Sequence, residues 1–310
     1  VRLKNLWHGK VVALNWGPWQ GAGMVTPEVA RQFETRGVPM ISVPAGSEAV
    51  LQEFRHPSQA ACALYGGGPW IDEADARATE SVAFSVDTPL LTGQQVTRTS
   101  DGVVEAHVVL DPSRHRYLAD HQIDDKPVLP AAFVMELMVE TAQAAAPQSW
   151  HVTKVENFRS FSGIIIETAK RTIGLRAEQI AGDNDTAQFR VRLFDPQMPA
   201  RMLYEGTIHL ARIAPELPDA PELGKITEAF PLDSVDEAYY RWLFHGPTLQ
   251  AITEFHGLDN SGVDAVFNPG SARECVGPHA DGDWLIDPVV LDAAPQLGMI
   301  WSRAVFDTSP

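Results

Sequence analysis

The sequence predicts an α+β protein, and three observations lead there. A long apolar helix stands among segments of alternating, β-branched residues. A second apolar helix lies far downstream. A short strand–loop–helix–helix–strand unit of different texture precedes both. Helical and strand periods separate cleanly along most of the chain, so each element can be justified in order.

Residues 10–16, KVVALNW, form a short apolar run of the kind buried in a parallel sheet. GPWQGAGM breaks it with three glycines and a proline. Thr26, ahead of Pro27 and Glu28, is a candidate N-cap for the helix VARQFETRG, which is expected to end at Gly37. SEAVLQEFR predicts a second helix and AACALYG a strand. The run GGGPW at 66–70 and the acidic, Ala-rich IDEADARATE read as a linker, so residues 1–75 are taken as one unit and 76–82 as the connection.

From Ser81 the texture changes. SVAFSVDTPLL, VVEAHVVL, VTKVENFRSFSGIII, RTIGLRAEQI, AQFRVRLFD and MLYEGTIHLARI read as strands with Gly, Asp and Asn at the breaks. Between them, Pro130 to about Ala145 is helical. Phe133, Val134, Leu137, Met138, Thr141 and Ala142 make its apolar face, and Glu136 and Glu140 are placed off that face. Pro130 suits the first helical position, where its missing N–H is no loss. Residues 225–310 repeat the theme more briefly: AFPLDSVDEAYYRWLFHGPTLQ, two strand-like runs, then a helix from Pro288 to about Phe306. The opening VRLKNLWHGKVVALNW reads as the end of one element followed by a buried strand, so the chain is expected to be cut from something longer.

Bulk properties narrow the function. The 310 residues carry a formal net charge of −16 and show no basic stripe, which argues against nucleic-acid binding. Arg159, Lys170 and Arg171 are the candidates for a local basic patch that could receive an acidic partner. Two unrelated cysteines, Cys62 and Cys275, imply no disulfide framework and fit a reducing, cytoplasmic compartment. No apolar run approaches the roughly 18 residues of a membrane span. His107, His115, His151, His209, His256 and His279 show no metal-ligand spacing with Cys, Asp or Glu, and no Gly-x-Ser-x-Gly elbow offers a nucleophile.

Chemistry concentrates at two places. HQIDDKPVLP, His121 to Pro130, puts an imidazole on a loop just ahead of the apolar helix. Far downstream, Asp292 and Gln296 in LDAAPQLGMIW stand four residues apart and can share a helix face. A histidine and a carboxylate from separate units can perform acid–base chemistry on a substrate that neither holds covalently.

These residues resemble the dehydratase domains of polyketide and polyunsaturated fatty acid synthases. His121 to Pro130 follows the pattern His-x-x-x-Gly-x-x-x-x-Pro, and Asp292-Ala-Ala-Pro-Gln296 follows Asp-x-x-x-Gln/His. LFHGPTLQ resembles the Tyr-Gly-Pro-x-Phe-Gln segment that lines the acyl channel, with His245 in place of the tyrosine and Leu249 in place of the phenylalanine. The resemblance implies a double hotdog, two long helices each wrapped by a curved antiparallel sheet, over 83–215 and 225–310, with the second lacking its closing strands. It implies His121 as base and Asp292 as acid, with Pro130, His245, Gly246, Pro247 and Gln296 contacting the substrate. The substrate would be a 3-hydroxyacyl chain on the phosphopantetheine arm of an acyl carrier protein, with no metal or nucleotide cofactor. One departure stands out: Asp125 occupies the glycine position, where the family's backbone N–H lies near the thioester carbonyl.

VVALNWGPWQGAGMV, above all the run Asn15–Trp19, resembles the C-terminal end of a ketoreductase domain from the same synthases, a Rossmann-type α/β remnant. Without G-x-G-x-x-G or a Tyr-x-x-x-Lys pair in this segment, no reductase activity is expected from it. An upstream reductase would make the hydroxyl that a dehydratase consumes. Neighbouring synthase domains and a homodimer follow as expected partners. Two rival readings keep the fold: an aldol cyclase of the product-template kind, and a non-catalytic scaffold that holds an acyl chain.

Overall fold

The computed structural model describes residues 12–21, 25–35, 38–55, 62–66, 81–146, 150–216 and 226–306 apart from 279 and 281, together with 219 and 224. The chain divides into two compact units, Val1–Ala78 and Thr79–Pro310.

The first unit runs β1 (Ala13–Trp16), β2 (Trp19–Gln20), α1 (Pro27–Thr35), β3 (Ile41–Ser42), α2 (Val43–Arg55) and β4 (Cys62–Tyr65). β1 pairs with β4 in parallel, and so do β2 and β3. The Thr26 hydroxyl accepts the Val29 N–H at 3.3 Å, which is the expected cap of α1. Gly37 and most of the expected linker, residues 67–80, lie outside the described residues. Gly46 is required by a close approach, since a Cβ there would stand 2.1 Å from the Trp19 ring.

The second unit continues with β5 (Ser81–Ala83), β6 (Gln95–Thr99), β7 (Val104–Leu110), α3 (Arg116–Ala119), β8 (Gln122–Ile123), β9 (Lys126–Pro127) and α4 (Ala131–Ala145). Then come β10 (His151–Ser160), β11 (Arg171–Gly182), β12 (Thr186–Asp195), β13 (Met198–Ala211) and α5 (Val235–Trp242). A 3₁₀ turn, Pro247–Leu249, leads to β14 (Ile252–Asp259), β15 (Gly262–Phe267), α6 (Ala272–Cys275) and α7 (Pro288–Phe306).

Seven strands form one antiparallel sheet in the order β10-β13-β12-β11-β7-β6-β5. Alternation sets its inner face: Val104, Ala106, Val108 and Leu110 from β7, and Ala187, Phe189, Val191 and Leu193 from β12, are all buried. α4 lies across β7 and β10–β13, so the sheet wraps the helix, which is the hotdog arrangement. Burying Phe133, Leu137 and Met138 contributes about 1.5–3 kcal/mol each.

β14 and β15 form a separate hairpin that packs with α7, and α7 in turn packs on α4. Of the expected strand SVAFSVDTPLL, only Ser81–Ala83 is extended; Phe84–Leu91 is loop and turn. That loop has another task, described next.

Two expectations for α4 are corrected. Pro130 is not the first helical residue but the cap: its ψ of 143° is extended, while its carbonyl accepts the Val134 N–H at 3.1 Å. Glu136 and Glu140 are not off the buried face; both are wholly buried. Glu140 accepts N–H groups from Leu90 and Leu91 at 2.9–3.1 Å and the Thr88 hydroxyl at 2.7 Å. Glu136 accepts the N–H groups of Leu285 and Ile286 at 2.8 and 3.0 Å. These carboxyls tie two irregular segments onto the central helix, satisfying backbone donors that burial would otherwise leave unpaired. Burial raises the pKa of both above the ordinary glutamate range, and the neighbouring carboxyl adds to this at Glu140.

Candidate active site

Three segments converge in the second unit. His121 opens the β8–β9 hairpin, His245 precedes the 3₁₀ turn, and Asp292 lies in the second turn of α7. The backbones of His121 and His245 form an antiparallel bridge. Beside it, the Gly246 N–H donates to the Asp120 carbonyl at 2.7 Å, and the Thr248 N–H donates to Asp120 Oδ2 at 2.8 Å. One donor-type atom from each of His121, His245 and Asp292 lies within 4.8 Å of the others, and all three residues are buried. Two imidazoles and a carboxylate so spaced are also the set here that could hold a divalent metal.

Each group has its orientation fixed. His121 Nδ1 lies 2.8 Å from the Val128 carbonyl. A carbonyl only accepts, so Nδ1 carries a proton, and the neutral form of this imidazole has its lone pair on Nε2. Asp292 Oδ2 accepts from Gln296 Nε2 at 2.9 Å and lies 3.4 Å from His245 Nε2. Gln296 is itself held: its Nε2 also donates to the Leu249 carbonyl at 3.0 Å, and its Oε1 accepts the Tyr239 hydroxyl at 3.0 Å. The Tyr239 oxygen in turn accepts the Ile252 N–H at 3.1 Å.

The electrostatics separate the groups. Burial, reinforced by the nearby His121, pushes the His245 imidazole down to about 4, so it is neutral near pH 7. Burial raises the Asp292 carboxyl above the ordinary range, opposed by the Gln296 hydrogen bond and by His121. The neutral His245 imidazole therefore sits near a carboxyl that keeps its proton to higher pH than usual. His245 Nδ1 is buried and has no hydrogen-bond partner among the described residues, which leaves it available to a substrate polar group.

Gly246 and Pro247 shape the turn rather than entering the cluster. A Cβ on Gly246 would stand 2.3 Å from Asp120 Oδ1, and Asp120 cannot swing away without releasing Thr248. Gly246→Ala is expected to lower stability by about 1–3 kcal/mol and to disturb the pairing of the two histidine loops, as thermal unfolding will show. Pro130 is buried at the start of α4, with Leu129 N–H donating to the Ile164 carbonyl beside it at 2.9 Å.

Asp124 and Asp125 form the exposed tip of the β8–β9 hairpin with φ of 52° and 58°. Positive φ at both positions is the type I′ signature, which favours glycine at the second. Asp125→Gly is expected to raise stability by up to about 1 kcal/mol, read as a higher melting temperature.

Three contributors carry no clear mark in the sequence. Phe244 stacks on His245 with centroids 4.1 Å apart and presents an edge to His121 at 5.1 Å, yet remains 45% exposed, a position at the mouth of the cluster. Tyr239 and Asp120 orient the cluster from behind. Of the expected basic patch, Lys170 faces Asp111 at 3.1 Å and Arg171 faces Asp195 at 3.8 Å, so two of its three members are already matched with carboxylates.

Residues 88–193 match the family model of the polyketide synthase dehydratase domain. Over 302 residues the chain is 24% identical to a polyunsaturated fatty acid synthase polypeptide from Thraustochytrium sp. (strain ATCC 26185 / S-3), covering 94% of this chain. The chain spans about a tenth of that relative's length, 10%. Among solved structures, a variant of the GphF dehydratase matches with a TM-score of 0.51 at 18% identity, covering 71% of this chain and 75% of that one. At this identity the likeness is one of fold.

Proposed function

We propose that this chain carries a dehydratase domain of the polyketide and polyunsaturated fatty acid synthase kind, the family matched by residues 88–193, and from that premise that it eliminates water from a 3-hydroxyacyl thioester to give the 2-enoyl thioester. The observation that supports this reading most is the convergence of His121, His245 and Asp292 with the His121 tautomer fixed by Val128.

In the proposed reaction His121 Nε2 removes the α-proton, the electron pair forms the α,β double bond, and the β-hydroxyl leaves as water with the proton of Asp292. Protonated His121 and ionised Asp292 remain, and proton return between them resets the site. His245 Nδ1 orients the leaving hydroxyl. Backbone N–H groups at the start of α4 stabilise the enolate that develops on the thioester oxygen. The thioester carbonyl itself acidifies the α-carbon, so the reading calls for no metal or nucleotide.

The substrate would arrive on the phosphopantetheine arm of an acyl carrier protein. Residues 1–75 would be the C-terminal part of a neighbouring ketoreductase, a reading consistent with the parallel pairs β1–β4 and β2–β3. A homodimer in the cytoplasm belongs to the same reading. Among the described residues, no helix is long and apolar enough to cross a membrane.

The test is turnover of 3-hydroxyacyl thioesters of several chain lengths on a phosphopantetheine mimic, with the enoyl product followed by mass loss of water. Product formation supports the dehydratase. A folded protein that binds carrier protein but yields no product at any length would favour the acyl-chain holder. Asp125, standing where the resemblance implies a glycine, is the sequence feature on that side.

A further inference from the structure

The segment that leads into α7 is fastened to α4 through Trp284, Leu285 and Ile286. Trp284 sets its ring edge-on to Phe133 of α4, with centroids 5.8 Å apart, and its Nε1–H donates to the Gly270 carbonyl at 2.9 Å. Leu285 and Ile286 give their N–H groups to the two carboxyl oxygens of Glu136, at 2.8 and 3.0 Å. Asp287 follows with a positive φ of 35°, and its Oδ1 accepts the N–H groups of Val289 and Val290 at 3.1 and 3.2 Å, closing the first turn of the helix. Five residues after Asp287 comes Asp292. A bidentate acceptor thus fixes both peptide units just ahead of the turn that aims the acidic side chain. An acid placed about 1 Å away from its working position loses much of its effect.

From this we infer that Glu136 is a positioning residue for the dehydration. Its carboxyl sets the entry of α7 and, through the Asp287 turn, the place of Asp292 relative to His121. The inference rests on the reading of Asp292 as the proton donor. Glu140 provides an internal comparison. It is equally buried, on the same helix, and also binds two consecutive backbone N–H groups, but those belong to Leu90 and Leu91, which lead nowhere near Asp292 in the chain.

The experiment compares Glu136→Gln and Glu140→Gln in the full chain, using a 3-hydroxyacyl thioester on a phosphopantetheine mimic. Glutamine keeps the shape of each side chain but turns an amide NH₂ toward one of the two N–H groups. Glu136→Gln is expected to lower kcat at least about 10-fold with KM changed less than about 3-fold. Glu140→Gln is expected to lower the melting temperature as much while kcat stays within about 3-fold. Equal kcat losses in both variants, or none in Glu136→Gln, would overturn the inference. Should Glu136→Gln not fold, Trp284→Phe removes the bond to Gly270 from the same segment while keeping an aromatic ring against Phe133. A kcat loss at unchanged KM in that variant supports the inference, and full activity overturns it. Asp292→Asn runs alongside. If that variant keeps wild-type turnover, the assignment of the acid fails, whatever Glu136 does.

Discussion

Replacing His121 with alanine is expected to reduce turnover of a 3-hydroxyacyl thioester by about 10³-fold or more while the fold stands. The two halves of that expectation come from different bonds. The side chain makes one structural hydrogen bond, from Nδ1–H to the Val128 carbonyl. The hairpin itself is held by backbone, including the Val128 N–H to the His121 carbonyl at 2.9 Å and the bridge to His245. Alanine therefore removes the lone pair and leaves the loop in place, apart from one carbonyl exposed to the small cavity created. In the proposed reaction the other imidazole of the cluster is already committed: His245 has its Nε2 against Asp292 and its Nδ1 on the leaving hydroxyl. Turnover by mass spectrometry and melting by circular dichroism separate the two effects. A His121→Ala protein that melts normally and still dehydrates would remove the imidazole from the mechanism.

Asp292→Asn is expected to reduce turnover by about 10²–10³-fold and to leave stability equal or higher. Asparagine can still accept from Gln296 Nε2, so the position stays packed, but it has no proton of matched acidity to give. The stability effect has a definite pH dependence. The Asp292 carboxyl is raised in the folded chain, chiefly by burial, so the folded state binds its proton more tightly than the unfolded state does. Wild-type stability from this group is complete below the unfolded pKa, about 3.9, and is lost as pH rises through the higher folded value. Asparagine does not titrate and carries no such pH dependence. The melting temperature of Asp292→Asn relative to wild type should therefore climb as pH rises above the ordinary aspartate range. A flat difference across that range would mean the carboxyl is not held protonated by its surroundings.

Much of this arrangement is legible in the sequence. α4 and α7 announce themselves by apolar residues at helical spacing, and β7 and β12 by alternation with one buried face. The resemblance of HQIDDKPVLP, LFHGPTLQ and Asp292–Gln296 to the synthase dehydratase motifs points to the site residues, and the structure places His121, His245, Asp292 and Gln296 together. What stays hidden has a common cause. Glu136 and Glu140 occupy the wheel positions that usually face water, and only the sheet, α7 and two loops closing on every side of α4 make them internal. Their partners are backbone N–H groups 49 to 150 residues away, and a backbone group carries no sequence signature. SVAFSVDTPLL reads as a strand because its composition is apolar and β-branched, but its later residues bond to Glu140 instead of to a neighbouring strand. Phe244 reads as one more core aromatic until the turn at Gly246 sets it against the two imidazoles.

The hydrogen bonds behind Asp292 all run in one direction. The Ile252 amide donates to the Tyr239 oxygen, the Tyr239 hydroxyl to the Gln296 carbonyl, and the Gln296 amide to Asp292 Oδ2. With its oxygen engaged by a hydroxyl and its nitrogen by two acceptors, the Gln296 amide cannot flip without breaking three bonds. The relay therefore offers Asp292 donors only and nowhere to send a proton inward. Whatever proton this carboxyl releases must leave on the side of the histidines, and the charge left behind meets a row of dipoles already aligned to receive it. The protein interior acts here as a one-way valve for charge, set by the fold before any substrate arrives.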